Sequence, residues 1–142
     1  MTTSENRPRG WVDDHIRRYL ESNGEDGHIW NGVPTLLLTT TGRKSGRSYT
    51  TPLIYGRFGD SYVIVASKGG APKHPDWYMN LSENPEVGVQ VAADKFTARA
   101  RTAGPDEKPE VWATMAEIWP EYDLYQTRTS RVIPVVILER LS

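Results

Sequence analysis

From Val33 to Ser67 the chain alternates short β-prone runs with turns too tight to hold a helix, and that pattern limits the folds open to it. Val33 to Thr40 is apolar and β-branched, and Gly42 to Gly46 turns the chain. Ser48 to Tyr55 is a second run, Gly59-Asp60 turns again, and Ser61 to Ser67 is a third, centred on Tyr62-Val63-Ile64-Val65-Ala66. Such short connections join antiparallel neighbours, whereas a parallel pair needs a long crossover. Pro52 lacks a backbone N–H, so its run belongs at a sheet edge or a bulge.

The remaining segments extend this pattern. Trp11 to Glu21 reads as a helix with Trp11, His15, Arg18 and Tyr19 on one face, followed by a polar loop from Gly24 to Gly32. Gly69-Gly70-Ala71-Pro72 breaks the chain after the third strand. A helix then starts after Pro75, with Trp77, Tyr78 and Leu81 on its apolar side, and Asn84-Pro85 stops it. Glu86 to Val91 and Lys95 to Thr102 alternate as strands. Val111, Met115, Ile118 and Trp119 fall at helical spacing between Gly104 and Pro120. Tyr122 to Arg131 is polar and aromatic, and Ile133 to Glu139 is a last strand. About six mostly antiparallel strands with three peripheral helices give a mainly β, α+β architecture, a barrel or a curved sheet. The expected organisation is an N-terminal helix and loop over residues 1–32 and one cofactor-sized β domain over 33–142.

With 142 residues, one domain is expected, and five Trp, seven Tyr and two Phe can fill its core. There is no cysteine, which excludes disulfides, thiolate metal sites and a thiol nucleophile. The first twenty residues are polar and lack a secretory apolar core. No uncharged apolar run approaches the roughly 20 residues of a membrane helix. A cytoplasmic protein is expected, with peripheral contact at the inner face of the cell membrane left open. The net charge of −1 argues against a nucleic-acid partner, yet it hides an asymmetry. From Asn31 to Pro75 the only acid is Asp60, against Arg43, Lys44, Arg47, Arg57, Lys68 and Lys73. A basic middle in an acidic frame points to a local anionic ligand.

Four stretches carry candidate chemistry. Thr39-Thr40-Thr41-Gly42-Arg43-Lys44-Ser45-Gly46-Arg47 is either a solvated hairpin turn or an anion cradle of backbone N–H groups and cations. It is not a P-loop, because Lys44-Ser45 follows the first glycine too closely. Ser67-Lys68-Gly69-Gly70 is either an ordinary strand-to-helix loop or a place where backbone approaches a planar ligand. Trp77 and Tyr78 are core residues or a ligand platform. Trp119, Tyr122 and Tyr125 are a packed helix face or one wall of a pocket. His15, His28 and His74 have no metal-ligand spacing, and Ser67 has no hydrolase motif around it, so no metal site and no acyl-transfer triad are expected.

Taken together, LLLTTTGRKSGR, TPL, YVIVASKGGAPKHPDWYMNL, NPEVGVQ, WPEYDLYQTRT and RVIPVVILER resemble the deazaflavin-dependent nitroreductase family of bacterial reductases, which use coenzyme F-420. The matching text covers about Pro34 to Arg140 in family order. The resemblance implies a split β-barrel of the flavin-reductase kind. The cofactor carries a phosphodiester and an oligoglutamate tail, which would account for the basic turn. By this resemblance Arg43, Lys44 and Ser45 hold the phosphate and tail, with Arg47 and Tyr49 beside them. Val65, Ala66, Ser67 and Lys68 border the deazaflavin ring. Asp76, Trp77, Tyr78, Met79 and Asn80 shape the remaining wall. Tyr122 and Tyr125 reach the ring or the substrate side. Two positions depart from the family pattern: Tyr49 stands where many relatives have arginine, and Trp119 stands where a nitro-drug-reducing member has tyrosine.

The implied reaction is hydride transfer from the reduced cofactor to a quinone, a nitroaromatic or another electron-poor small molecule, with Ser67 and Tyr122 as the catalytic pair. An FMN-dependent reductase of the same fold and a non-catalytic deazaflavin carrier are the alternatives. A monomer and a homodimer are both compatible with the sequence.

Overall fold

The computed structural model describes residues 10–141; the polar start of the chain, residues 1–9, lies outside them. Helix α1, Gly10–Glu21, leads into a turn and the two-residue strand β1, Ile29–Trp30. Strands β2 (Val33–Thr41), β3 (Ser48–Ile54), β4 (Gly56–Phe58) and β5 (Ser61–Val65) follow. A single 3-10 turn, Lys68–Gly70, precedes α2, Asp76–Glu83. Then come β6 (Glu86–Val91), β7 (Asp94–Thr102), α3 (Lys108–Ile118), α4 (Glu121–Thr127) and β8 (Val135–Arg140).

The eight strands form one sheet in the order β1-β2-β6-β7-β8-β5-β4, with β3 added against β2, and every pairing is antiparallel. The sheet curls into a split barrel: the strand pattern led us to expect a barrel or curved antiparallel sheet, and the family resemblance its split-barrel form. Pro52 sits in β3 opposite Leu37, and β3 pairs with no strand but β2 among the described residues, so its missing N–H costs no ladder bond.

Two short strands and one helix go beyond the sequence reading. β1 lies in the segment read as a polar loop, and β4 fills the gap before the Gly59-Asp60 turn. Both are too short to show a period. α4 occupies the polar, aromatic stretch, where Tyr122 alone is buried. The third strand stops at Val65 because Ser67 turns to helical backbone (φ −81°, ψ −40°).

The core has two parts, and the central strands explain why. β5 and β8 send alternate residues to opposite faces. Ile64, Val136 and Leu138 join Leu36, Leu38, Val87, Val89 and Phe96 inside the curl. Val63, Val65, Val135 and Ile137 pack outward against Val111 and Met115 of α3 and Tyr122 of α4. Burial on both faces accounts for the continuous apolar runs of these two strands. Gly56 lets α3 approach, since a Cβ there would lie 2.6 Å from Met115 Sδ. On α1 only Tyr19 is buried; Trp11 and Arg18 of the expected face are exposed. The Tyr19 hydroxyl accepts from Ala92 N–H (2.7 Å) and has the carbonyls of Thr35 (3.0 Å) and Gln90 (3.2 Å) to donate to, which fastens α1 to the sheet. No helix among the described residues is long and apolar enough to cross a membrane.

Candidate active site

A cavity of about 300 Å³ opens where α1, the ends of β3 and β5, α2 and α4 meet. Trp11 and His15 of α1, Trp30 of β1 and Trp119 line it. So do Val65, Ser67, Lys68 and Gly69 along the edge at the end of β5, and Trp77, Tyr122 and Tyr125 of the helices. Its lining is mostly apolar with a few convergent polar groups, the usual composition of a small-molecule site.

Two of those polar groups have no hydrogen-bond partner among the described residues. Ser67 is 8% exposed and Tyr122 is 5% exposed, and neither hydroxyl takes a hydrogen bond among the described residues. Buried polar groups are nearly always paired, so two unpaired hydroxyls on one cavity point to a ligand that pairs them. Burial, with Tyr125 adjacent, pushes the Tyr122 phenol above its ordinary range, so it keeps its proton. Tyr125 is committed differently: its hydroxyl accepts from Trp119 Nε1 and donates to Glu121 Oε1, both at 3.3 Å.

The backbone at this edge is unusual. Lys68 adopts φ 46°, followed by Gly69 at 63° and Gly70 at 84°. A helical Ser67 followed by a left-handed Lys68 turns successive N–H groups to one side, the arrangement that receives anions and carbonyl oxygens. A Cβ built on Gly69 would meet no heavy atom within 4 Å among the described residues, while its carbonyl oxygen lies 3.5 Å from Arg128 Nη1. Lys68 itself forms no ion pair among the described residues.

The basic turn packs against α2, reaching Asp76 and Asn80. Gly42 N–H donates to Arg47 O (2.7 Å) and Gly46 N–H to Gly42 O (3.0 Å), which closes the loop. A Cβ at Gly42 would lie 2.6 Å from Ser45 Oγ and 2.8 Å from Tyr49 Cε2, so these side chains would have to shift for any larger residue. Ser45 and Tyr49 share a hydrogen bond of 3.0 Å through their hydroxyls, and Ser45 Oγ also accepts from Arg47 N–H. Arg43 is held by α2, with Nη1 2.8 Å from Asn80 Oδ1 and Nη2 3.7 Å from Asp76 Oδ1. Lys44 and Arg47 are exposed and form no ion pair among the described residues.

The structure therefore sorts the sequence candidates into groups. Val65, Ser67, Lys68, Trp77, Tyr122 and Tyr125 line the cavity. Arg43, Lys44, Ser45, Arg47 and Tyr49 gather at the turn, tied to Asp76 and Asn80 of α2. Ala66 is fully buried. Tyr78 shares a hydrogen bond with Thr102 Oγ1 (2.8 Å), and Met79 is partly exposed; neither lines the cavity. Trp11, His15 and Trp30 were not among the site residues expected from sequence. Trp30 meets Trp119 at 5.7 Å between ring centroids, a contact that only the fold creates. A lone tryptophan in an otherwise polar loop was the available signal.

Residues 11–140 match the model of a family described as F420H(2)-dependent quinone reductase. The chain is 45% identical over 130 residues to the F420H(2)-dependent quinone reductase Rv1261c of Mycobacterium tuberculosis, covering 89% of this chain and 87% of that protein. Among solved structures, an F420-H2 dependent reductase (FDR-A) aligns with TM-score 0.70 and 44% identity, over 75% of this chain and 94% of that one. A structure described as a domain-swapped dimer aligns with TM-score 0.72 and 41% identity, over 94% of this chain and 100% of that one.

Proposed function

Because the chain belongs to the F420H(2)-dependent quinone reductase family, we propose that it transfers a hydride from reduced coenzyme F-420 to a quinone-type acceptor bound in the cavity. The observation that carries this reading is that Ser67 and Tyr122, two buried residues whose hydroxyls take no hydrogen bond among the described residues, line one cavity.

The residues present fit the cofactor. When bound, F-420 supplies a hydride, two electrons at once. Lys68 and Gly69 offer backbone N–H groups to the polar edge of a planar ring, and the Lys68 ammonium favours negative charge there. Trp77 and Tyr125 would offer aromatic surface to the ring. Lys44 and Arg47 are the free cations for a phosphodiester and an acidic tail, while Arg43 shapes the turn that presents them. A quinone that takes up a hydride must also take up a proton on oxygen. Tyr122 and Ser67 are the buried hydroxyls placed to hydrogen-bond that oxygen and to pass a proton to it. The indoles of Trp30 and Trp119, in contact with each other in the cavity lining, would suit a flat, electron-poor ring.

The test is turnover. Purified protein mixed without oxygen with reduced F-420 and a short-chain naphthoquinone should restore the absorbance of oxidised F-420 much faster than the same mixture without protein. A rate equal to the protein-free control with every quinone tried would reject the reaction.

A further inference from the structure

Arg131, in the irregular stretch between α4 and β8, takes no part in the site described so far. Its guanidinium donates through Nε to Ala71 O (2.8 Å), through Nη2 to Ser67 O (2.7 Å), and through Nη1 to Ala66 O (3.3 Å) and His74 Nδ1 (3.0 Å). Guanidinium has no acceptor, so the last bond requires His74 Nδ1 to be unprotonated. The four acceptors bracket the left-handed run Lys68-Gly69-Gly70. Such backbone persists only where its surroundings over-determine it. On the far side, Gly70 is seated against α4, where a Cβ would lie 2.6 Å from Tyr125 O. The cavity edge is thus held between α4 and one arginine.

We infer that Arg131 is the positioning residue of the cofactor site: its planar fork fixes the Ser67–Gly69 edge of the cavity, and His74 makes that clamp sensitive to acid. This inference rests on the reading of the cavity as the F-420 site. A lysine cannot replace the fork, because one ammonium cannot reach acceptors spread from Ala66 to His74 in a plane. His74 faces the Arg131 guanidinium and the Tyr78 ring of α2, 4.9 Å between centroids; on its own loop Lys73 and Asp76 are exposed. Burial and the Arg131 cation hold the His74 pKa below its ordinary value, so the ring is neutral at pH 7. Protonation at Nδ1 would turn the acceptor into a donor and set two cations 3.0 Å apart. The clamp is complete above the ordinary histidine range and is lost as pH falls through the lowered value.

The full chain carrying Arg131→Lys or Arg131→Gln tests this with two readouts. In cofactor-free protein, the amides of Gly70 and Ala71, which donate to Ser67 O (2.9 Å) and Lys68 O (3.1 Å), should exchange with solvent about tenfold faster or more, with Ile64 unchanged. Affinity for F-420, read by fluorescence, should fall about tenfold to a hundredfold in both variants, consistent with the loss of charged hydrogen bonds. Wild-type exchange and affinity in Arg131→Lys would overturn the fork. His74→Asn keeps an acceptor near the Nδ1 position but does not titrate. It should match wild type near pH 7.5 and bind F-420 more tightly than wild type at the acid end of a pH series, once pH has fallen through the lowered His74 value. Identical profiles for the two proteins would overturn the acid-sensitive clamp. If wild type does not bind F-420, the functional reading fails, while the exchange measurement still decides the clamp.

Discussion

One side-chain oxygen, Asn80 Oδ1, accepts from both the backbone N–H (3.2 Å) and the Nη1 (2.8 Å) of Arg43. The same amide donates through Nδ2 to Thr40 Oγ1 at 3.3 Å. Asn80 is 5% exposed, so these bonds are made away from water. The basic turn and α2 are consequently one unit, and α2 also carries Trp77 into the cavity. Asn80→Ala should lower the stability of the protein by about 1–3 kcal/mol, because it leaves buried donors unpaired. Urea unfolding checks this, and cofactor affinity should fall with it because the turn loses its anchor.

Lys44 has no such structural commitment. Lys44→Ala should leave the unfolding midpoint within about 0.5 kcal/mol of wild type. It should weaken F-420 binding at low ionic strength, and the deficit should shrink as salt screens the contact. Titrations at two salt concentrations measure both effects. An affinity unchanged at low salt would remove Lys44 from the tail site.

Tyr122→Phe separates chemistry from folding. The hydroxyl has no hydrogen-bond partner among the described residues, so deleting it removes an unpaired buried group and should hold or raise stability. Turnover should fall roughly 10²-fold if the phenol orients or protonates the acceptor. Affinity for F-420 should change less than turnover. Ser67→Ala should follow the same pattern.

Acid stability should be set in part by Glu107. Its carboxylate lies 2.7 Å and 2.8 Å from Arg101 Nη1 and Nη2 and accepts from Gly104 N–H at 3.0 Å. The Arg101 guanidinium first, and then the Gly104 N–H, lower its pKa to about 2. A carboxyl with a depressed folded-state pKa stabilises fully above its unfolded value, and that contribution is lost as pH falls toward the folded one. Wild type should therefore lose stability between about pH 4.5 and 2, and Glu107→Gln should show a flatter profile there and be less stable at neutral pH. Thermal unfolding as a function of pH measures the difference.

Much of this was visible in the sequence because alternation leaves a periodic trace. Val87, Val89 and Val91 in β6, and Phe96, Ala98 and Ala100 in β7, are buried as their spacing predicted. The breaker glycines and prolines marked where the curl turns. What stayed hidden has no period. β1 is two residues long, and α4 has seven residues with one buried side chain. The Trp30–Trp119 contact and the Arg131 clamp join residues far apart in the chain through side chains, and neither leaves a local signature. The basic turn was readable as a charge cluster. That Arg43 is bound to α2, while Lys44 and Arg47 form no ion pair among the described residues, depends on how the turn packs in the fold.

The most direct measurement is a fluorescence titration of the purified protein with oxidised F-420 and, in parallel, with FMN, each at low and high salt. Saturable binding of F-420 that weakens with salt, with little binding of FMN, is the expected result. No binding of F-420 at either salt concentration would contradict the assignment of the cavity and the basic turn to this cofactor.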